Sequence, residues 1–191
     1  MSKYIDFYFD IISPYAFIAH KKIQRKKNIL FNYMPILLGG LHDLAGITAP
    51  AFNKFKMTNM INDCTLVSKK NDIRFKWNEN FPINSLYVMR GYLLIKKELK
   101  YDYIDKVFNA YWVDNKDMTK DENIISILDQ LKIDYKFFFK GINNEKIKNE
   151  LKKLTNNAFN KEIFGAPTFV VNNKIFWGQD RLEYAIDEVI K

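Results

Sequence analysis

A strand-to-helix junction near the start of the chain constrains the fold more than any other feature. Residues 4–12 are aromatic or β-branched nearly throughout, which is typical of a strand covered on both faces. Ser13-Pro14-Tyr15 follows, and a helical pattern continues over residues 14–25. Serine is a favourable N-cap, and proline suits the first helical position because its missing N–H needs no partner there. Ser13 is therefore expected at the end of a central strand, where a helix dipole favours an anion or thiolate; as a single residue, it is more commonly only a cap.

The order of the remaining elements predicts the fold class. Residues 29–35 form a second strand pattern, so the chain begins as β-α-β with parallel strands. Residues 51–161 show helical spacing almost throughout, and strand patterns return at 168–171 and 174–177, joined by a hairpin turn at Asn172-Asn173. A β-α-β half and a β-β-α half separated by helices predict an α/β protein with a thioredoxin-like fold and a large all-helical insertion.

Three segments are expected from this layout: residues 1–48 and 162–191 as the two halves of the thioredoxin-like domain, and residues 49–161 as the helical insertion. Residues 37–41 break the regular pattern. Asp180 and Glu183 predict a capping box that opens a last helix over 181–190. Helix 51–70 is expected to bury Phe52, Phe55, Met60 and Leu66, and further helices are expected at 84–99, 102–113, 121–131, 135–139 and 144–161.

Composition excludes several classes of protein. Apolar residues make up 48% of the chain, which excludes general disorder. No run is apolar and long enough to span a bilayer, and the N-terminus lacks a signal-peptide pattern, so a cytoplasmic protein is expected. The single cysteine, Cys64, excludes an internal disulfide or a CxxC pair. His20 and His42 are far apart and have no cysteine partners, so no metal site is expected.

The net charge of +8 does not indicate a nucleic-acid partner. The lysines come as scattered pairs on the polar sides of amphipathic segments, and no nucleic-acid-binding motif is present. A mild attraction for small anions is the expected consequence.

Pro167 is the second marker of a possible site. A proline that enters a strand removes a ladder donor and so belongs at the first residue or at a bulge. In thioredoxin-like folds a proline at this place is cis and faces the start of the first helix. An ordinary trans proline that opens a strand is the alternative for this residue considered by itself.

Five motifs together resemble a known family over essentially the full length. The chain is similar to the group formed by 2-hydroxychromene-2-carboxylate isomerases and kappa-class glutathione transferases, which are relatives of the DsbA-type oxidoreductases. The motifs are Phe7-Tyr8-Phe9-Asp10-Ile11-Ile12-Ser13-Pro14-Tyr15, Pro35-Ile36-Leu37-Leu38-Gly39-Gly40, Phe81-Pro82-Ile83-Asn84-Ser85-Leu86, Phe164-Gly165-Ala166-Pro167-Thr168-Phe169 and Phe176-Trp177-Gly178-Gln179-Asp180-Arg181-Leu182.

The resemblance implies that glutathione is the cofactor and that Ser13 is the catalytic residue. Ser13 stands where oxidoreductase relatives carry the first cysteine of CxxC, and its hydroxyl would donate to the thiolate of bound glutathione. The Ala166 backbone would pair with the cysteinyl part, and Gln179 and Asp180 would hold the γ-glutamyl end. The alternative for Asp180 is that it serves only as a cap. The implied cofactor-binding residues are Ser13, Pro14, Tyr15, Ala166, Pro167, Gln179 and Asp180.

Two reactions could use this thiolate. An isomerase of this type would add it reversibly to a conjugated 2-oxo acid, whereas a transferase would keep the adduct. Lys56 matches a basic family position and could meet a substrate carboxylate, although it also reads as one lysine of a solvated helix face; Asn84 is a second candidate substrate contact. The partners expected are glutathione, a small aromatic or conjugated 2-oxo acid, and a second copy of the chain, with neither nucleic acid nor membrane.

The sequence departs from the family at two positions. Ile47 stands where family members commonly have an asparagine near the ligand, and Asn59 replaces an aromatic residue. These changes raise a non-catalytic small-molecule binder on the same scaffold as an alternative. Thiol–disulfide exchange through Cys64 is disfavoured, because Cys64 does not have the right spacing from the Ser13 helix.

Overall fold

The sheet is built around the first strand of the chain. The computed structural model describes residues 4–190, and these form a four-stranded sheet in the order β2-β1-β3-β4. The strands are β1 (Tyr4–Phe9), β2 (Leu30–Pro35), β3 (Thr168–Val171) and β4 (Lys174–Trp177). Strand β2 pairs parallel to β1, whereas β3 is antiparallel to both β1 and β4. The predicted β-α-β and β-β-α halves therefore form one mixed sheet, and the α/β, thioredoxin-like fold is confirmed.

Strand β1 is central because β2 and β3 pair with its two edges. Ile5, Phe7 and Phe9 have no solvent exposure. The Phe7 ring lies 5.5 Å from Phe169 on β3 and 5.0 Å from Tyr33 on β2. The strand is shorter than predicted and ends at Phe9, so residues 10–13 form the connection that leads to the first helix.

Nine α-helices surround the sheet within the described residues. Their bounds lie within a few residues of the predicted ones except in two places, where one helix was not predicted and another is split. The helices are α1 (Pro14–Ile23), α2 (Leu38–Ala45), α3 (Lys54–Lys70), α4 (Leu86–Leu94), α5 (Lys100–Trp112), α6 (Asp121–Gln130), α7 (Tyr135–Ile142), α8 (Glu145–Asn160) and α9 (Leu182–Ile190). The helix expected over 84–99 ends at Leu94, because Ile95 adopts an extended conformation, and a short 3₁₀ turn precedes α5.

Helix α2 was not predicted, because the adjacent glycines of its first turn weaken the helical signal. Gly46 ends the helix in the left-handed region with φ of 64°, a conformation that glycine adopts without a steric penalty. Before the helix, the Leu37 N–H donates to Thr155 Oγ1 on α8 at 3.0 Å. Tertiary contacts with α8 therefore support α2 where local propensity is poor.

The prediction that helix α3 buries Phe52, Phe55 and Leu66 is wrong. These side chains are 76%, 84% and 67% exposed, respectively, whereas Met60 is buried as expected. The buried face of α3 is narrow and contains Met60, Cys64 and Ser68 at four-residue spacing. Phe52 precedes the helix in a 3₁₀ turn, and the helical period places the other two on different faces from Met60.

The helical insertion is joined to the sheet by buried contacts beside the first junction. The indole Nε1 of Trp112 on α5 donates to the Ile11 carbonyl at 2.8 Å, and the Trp112 side chain has no exposure. One hydrophobic cluster includes side chains of β1, α1 and α5. The division into segments 1–48, 49–161 and 162–191 stays a prediction, and its outer limits, residues 1 and 191, lie outside the described residues.

Within residues 4–190, no helix combines the length and the apolar character that crossing a bilayer requires. The expected cytoplasmic location stays a prediction.

Candidate active site

Ser13 caps the first helix, as its sequence context predicted. Its Oγ accepts a hydrogen bond from the Ala16 N–H at 3.1 Å, and Pro14 occupies the first turn of α1. The Ser13 side chain is 4% exposed. The N-terminal N–H groups and the helix dipole give this position a partial positive charge. An anion held beside Ser13 would therefore be stabilised.

The Ser13 hydroxyl also meets the loop before β3, although 153 residues separate the two in the chain. Ser13 Oγ donates to the Ala166 carbonyl oxygen at 2.8 Å, and the Ala166–Pro167 peptide bond is cis, as expected. Within residues 4–190, the Ala166 N–H donates to no hydrogen-bond acceptor. A backbone donor without a partner and a serine hydroxyl thus lie side by side at the N-terminus of α1.

Tyr15 and Lys56 line one cavity, so part of the predicted site comes together. The cavity has a volume of about 430 Å³ and lies between α1, α3 and the turn before α3. Tyr15 is half-buried, and its hydroxyl donates to Asp63 Oδ2 at 2.8 Å. Burial raises the pKa of Tyr15, so the phenol remains protonated. The lining residues are Tyr15, Pro50, Phe55, Lys56, Asn59 and Met60.

The single thiol of the chain, Cys64, lies beside Tyr15 but does not line the cavity. Cys64 is fully buried on α3, and burial raises its pKa to about 12. A thiol in such surroundings is inert because the thiolate is the nucleophilic form. Burial and the raised pKa therefore also disfavour thiol–disulfide exchange through Cys64.

Gln179 and Asp180 have different surroundings. Gln179 is 8% exposed, and its Oε1 accepts a hydrogen bond from Lys22 Nζ. Asp180 is exposed and forms an ion pair with Arg181 at 2.8 Å. The capping box expected from Asp180 and Glu183 does not form, because α9 begins only at Leu182, after a 3₁₀ turn, and Asp180 accepts no backbone N–H there. The Asp180 carboxylate remains accessible to a ligand.

Asn84 does not line the Tyr15 cavity. Its side chain is exposed, and its Oδ1 accepts a hydrogen bond from the Leu86 N–H at 3.0 Å. The residue therefore stabilises the start of α4. Ser85 directs its hydroxyl into the protein instead, toward Asp10.

Asp10 is the polar residue beside the site that the sequence reasoning missed. Its carboxylate has no solvent exposure and accepts hydrogen bonds from Ile12, Leu38 and Ser85. An acidic residue at the end of an otherwise apolar strand was the available signal, because unpaired aspartates are rarely buried. Among residues 4–190, no group of three or more His, Cys, Asp or Glu side chains could hold a metal ion.

The chain is similar to known proteins over nearly its whole length. The family model for the DSBA-like thioredoxin domain matches residues 4–189. A 2-hydroxychromene-2-carboxylate isomerase from Sphingobium xenophagum is 23% identical over 96% of both chains. The kappa 1 glutathione S-transferase of Caenorhabditis elegans is 25% identical over 96% of this chain and 89% of its own length.

Solved structures share the fold over nearly the whole chain. A 2-hydroxychromene-2-carboxylate isomerase superposes with a TM-score of 0.88 at 22% identity, covering 97% of this chain and 95% of its own. The cytosolic disulfide reductase DsbM from Pseudomonas aeruginosa, solved with GSH, gives a TM-score of 0.68 at 10% identity with the same coverage. Since the family model spans nearly every described residue, this chain belongs to the DSBA-like thioredoxin domain family.

Proposed function

We propose that this protein is a glutathione-dependent isomerase of the 2-hydroxychromene-2-carboxylate type, acting on a small aromatic or conjugated 2-oxo acid. The observation that carries the proposal is the meeting of Ser13 and Ala166 at the N-terminus of α1, with the Ser13 Oγ and the Ala166 carbonyl 2.8 Å apart. The relatives named as isomerases and as kappa 1 transferases support the reaction class at 23–25% identity.

The residues around Ser13 offer the contacts that a small thiol-containing peptide would require. The Ala166 N–H and carbonyl offer one donor and one acceptor, as an extended peptide requires. Asp180 offers an accessible carboxylate for an ammonium group. Cys64 is buried and its pKa is raised to about 12, so a reactive thiol must come from a bound molecule. Glutathione meets these requirements.

Glutathione held beside Ser13 would supply a thiol for reversible addition to the conjugated acid. The N-terminus of α1 lowers the pKa of a thiol placed beside it. The Ser13 hydroxyl turns from the Ala166 carbonyl to donate to the anionic sulfur, a charge-assisted hydrogen bond. The Ala16 N–H keeps its bond to Ser13 Oγ during this rotation and so holds the oxygen in place. Ser13 is a thiolate stabiliser in this scheme.

Lys56 is the proposed contact for the substrate carboxylate. Its place on the Tyr15 cavity, beside the exposed ring of Phe55, supports an aromatic acid as substrate. Only the amide nitrogen of Asn84 is left for a substrate contact, because its oxygen caps α4. The proposed cofactor-binding residues remain Ser13, Pro14, Tyr15, Ala166, Pro167, Gln179 and Asp180, and the assembly is a homodimer.

Two alternatives rest on specific observations. The kappa 1 relative supports a transferase that conjugates electrophiles at the same site. Ile47, 38% exposed where the family pattern has an asparagine, supports a binder without activity. Turnover of a 2-oxo acid with no net consumption of glutathione supports the isomerase; consumption on an electrophile panel supports the transferase. Glutathione binding without either activity supports the binder.

The first test is calorimetry of glutathione binding in buffers of different ionisation heat, with wild type beside Ser13→Ala. Wild type is expected to bind and release the thiol proton. The Ser13→Ala variant is expected to bind roughly tenfold to hundredfold more weakly, because it loses a hydrogen bond to a charged group. The variant should also release fewer protons per glutathione bound than wild type at the same pH.

Ser68→Ala is the matched control, because Ser68 is a buried serine whose hydroxyl has no partner within the described residues. It should bind like wild type. Equal binding and equal proton release by wild type and Ser13→Ala would contradict the role of Ser13. No binding by any of the three would contradict the proposed function itself.

A further inference from the structure

Asp10 is a buried carboxylate that the proposed mechanism does not use. It lies at the end of β1, three residues before Ser13, and has no solvent exposure. The Ser13 N–H donates to the Asp10 carbonyl at 3.1 Å, which closes a tight turn between the two residues. Within residues 4–190, Asp10 forms no ion pair with a lysine, arginine or histidine. Its charge must therefore be stabilised by neutral donors.

The donors come from three separate parts of the chain. Oδ1 accepts from the Ile12 N–H at 3.2 Å, beside Ser13. Oδ2 accepts from the Leu38 N–H at 2.8 Å and from Ser85 Oγ at 3.0 Å. Leu38 is the first residue of α2, and Ser85 immediately precedes α4. Two helix N-termini therefore converge on one carboxylate, an arrangement that favours its negative form.

We propose that Asp10 is a positioning residue of the glutathione site, whose ionised carboxylate holds the Ser13 turn against the N-termini of α2 and α4. This inference rests on the proposed function for its ligand. The hydrogen bonds that support it lie within the chain itself.

Protonation of Asp10 would weaken this arrangement, because the Ile12 and Leu38 N–H groups would then donate to a neutral carboxyl instead of a charged one. A protonated oxygen becomes a donor, and the groups around it are already donors: the Ile12 N–H on one side, and the Leu38 N–H and Ser85 hydroxyl on the other. Only the Ser85 hydroxyl can reverse its direction. Any other placement of the proton removes at least one of the bonds that connect the turn to α2 or α4.

The pH at which this happens lies close to neutrality. Burial raises the pKa of Asp10 to about 6 despite the hydrogen bonds that oppose the shift. The Tyr111 hydroxyl on α5 feels the charge of Asp10, and its pKa is raised by burial, so it stays protonated throughout. The hydrogen bonds that lower the pKa of Asp10 come from backbone N–H groups and the Ser85 hydroxyl, none of which titrates. Asp10 is therefore expected to titrate as a single group.

The raised pKa of Asp10 also affects folding stability. A carboxyl whose pKa is raised in the folded state binds protons more tightly folded than unfolded, so folding stability falls as the pH rises toward 6. The ionised form is thus retained at a cost to stability. This pattern points to a role in the site, because buried groups with raised pKa values concentrate at functional sites.

The test uses S-methylglutathione as the probe, because it has no thiol that could titrate. Wild type is expected to lose affinity for it by roughly tenfold between about pH 7 and about pH 5, the loss of one hydrogen bond to a charged group. Asp10→Asn is expected to bind roughly tenfold more weakly than wild type at about pH 7, with no inflection near pH 6. Asp43→Asn, an exposed aspartate on α2, is the matched control and should retain the wild-type profile.

A second measurement on ligand-free wild type separates this inference from the proposed function. The amide NMR signals of Ile12, Ser13 and Leu38 should shift together with one midpoint near the Asp10 pKa of about 6. Asp10→Asn should lack this transition. If the three amide signals share one midpoint but the protein binds neither glutathione nor S-methylglutathione, the proposed function is contradicted and the coupling of Asp10 to the Ser13 turn stands. The inference would be overturned if the three amide signals shifted independently of one another or not at all. It would also be overturned if Asp10→Asn kept the wild-type affinity and pH profile.

Discussion

At the scale of single residues, the packing between helices leaves no room for a side chain at Gly91. Gly91 lies on α4, and a Cβ at this position would overlap the Phe138 ring and the Tyr103 hydroxyl. Both neighbours are fully buried, and the Tyr103 hydroxyl donates to the Val88 carbonyl at 3.0 Å. Neither side chain can move without breaking other contacts. Gly91 is therefore required for the close approach of α4 to α5 and α7.

Gly91→Ala is expected to destabilise the protein by about 1–3 kcal/mol, the usual cost of inserting a methyl group into a packed core. The thermal midpoint should fall by about 2–4 °C for each kcal/mol in a chain of this length. The matched control is Gly39→Ala on α2, where a Cβ meets no atom within 4 Å. It should leave the midpoint unchanged or slightly raised, because alanine favours the helix. A Gly91→Ala midpoint equal to that of wild type would show that the α4 contact is loose.

At the scale of elements, a buried histidine connects α1 to β2 and α5. His20 has no exposure, and its ring stacks on Phe108 with centroids 5.2 Å apart. Burial lowers the pKa of His20, so the ring is neutral near pH 7. Since a carboxylate only accepts, Nε2–H donates to Asp105 at 3.0 Å, and Nδ1 then accepts from the Tyr33 hydroxyl at 2.7 Å. These two bonds fix the tautomer.

The neutral His20 ring makes stability depend on pH. A histidine whose folded pKa lies below its unfolded value of about 6.5 contributes stability above that value and loses it as the pH falls. His20→Gln, which cannot take up a proton, should therefore be less stable than wild type at about pH 7.5, and the gap should narrow toward about pH 5. Urea unfolding at several pH values measures this difference in the free energy of unfolding between wild type and His20→Gln. A gap that is constant with pH would mean that His20 does not titrate on unfolding. The sign is opposite to that of Asp10.

Some elements were predictable from sequence because local chemistry determines them. Ser13 was recognisable as a cap from its place before Pro14, and the hairpin was recognisable from Asn172-Asn173, both of which adopt positive φ. The cis bond at Pro167 was expected from resemblance to a fold rather than from local composition. These features depend on short segments with strong conformational preferences.

The other features depend on contacts between distant segments. Helix α2 has a weak local signal and is supported by Thr155 on α8. Asp10 becomes a centre of hydrogen bonds only when Leu38 and Ser85 arrive from separate helices. The exposure of Phe55 could not be read from spacing alone, because the period defines faces without saying which face meets the core. Pairing between remote segments was the missing information.

At the scale of the whole molecule, the exposed rings of Phe52 and Phe55 predict that this face is covered in solution. Large apolar side chains exposed together commonly mark an interface, and a homodimer is the assembly proposed above.

Light scattering should give a mass of about 45 kDa, twice the 22.7 kDa of one chain. A Phe52→Ser/Phe55→Ser double variant should shift toward the monomer, whereas Leu30→Ser, 68% exposed at the start of β2, should not. If wild type is a monomer, the Phe55 ring is left to the substrate cavity, and Phe55→Ser should weaken binding of an aromatic acid without changing the mass. If wild type and the Phe52→Ser/Phe55→Ser variant are both dimeric at every concentration tested, the dimer contact lies on another face.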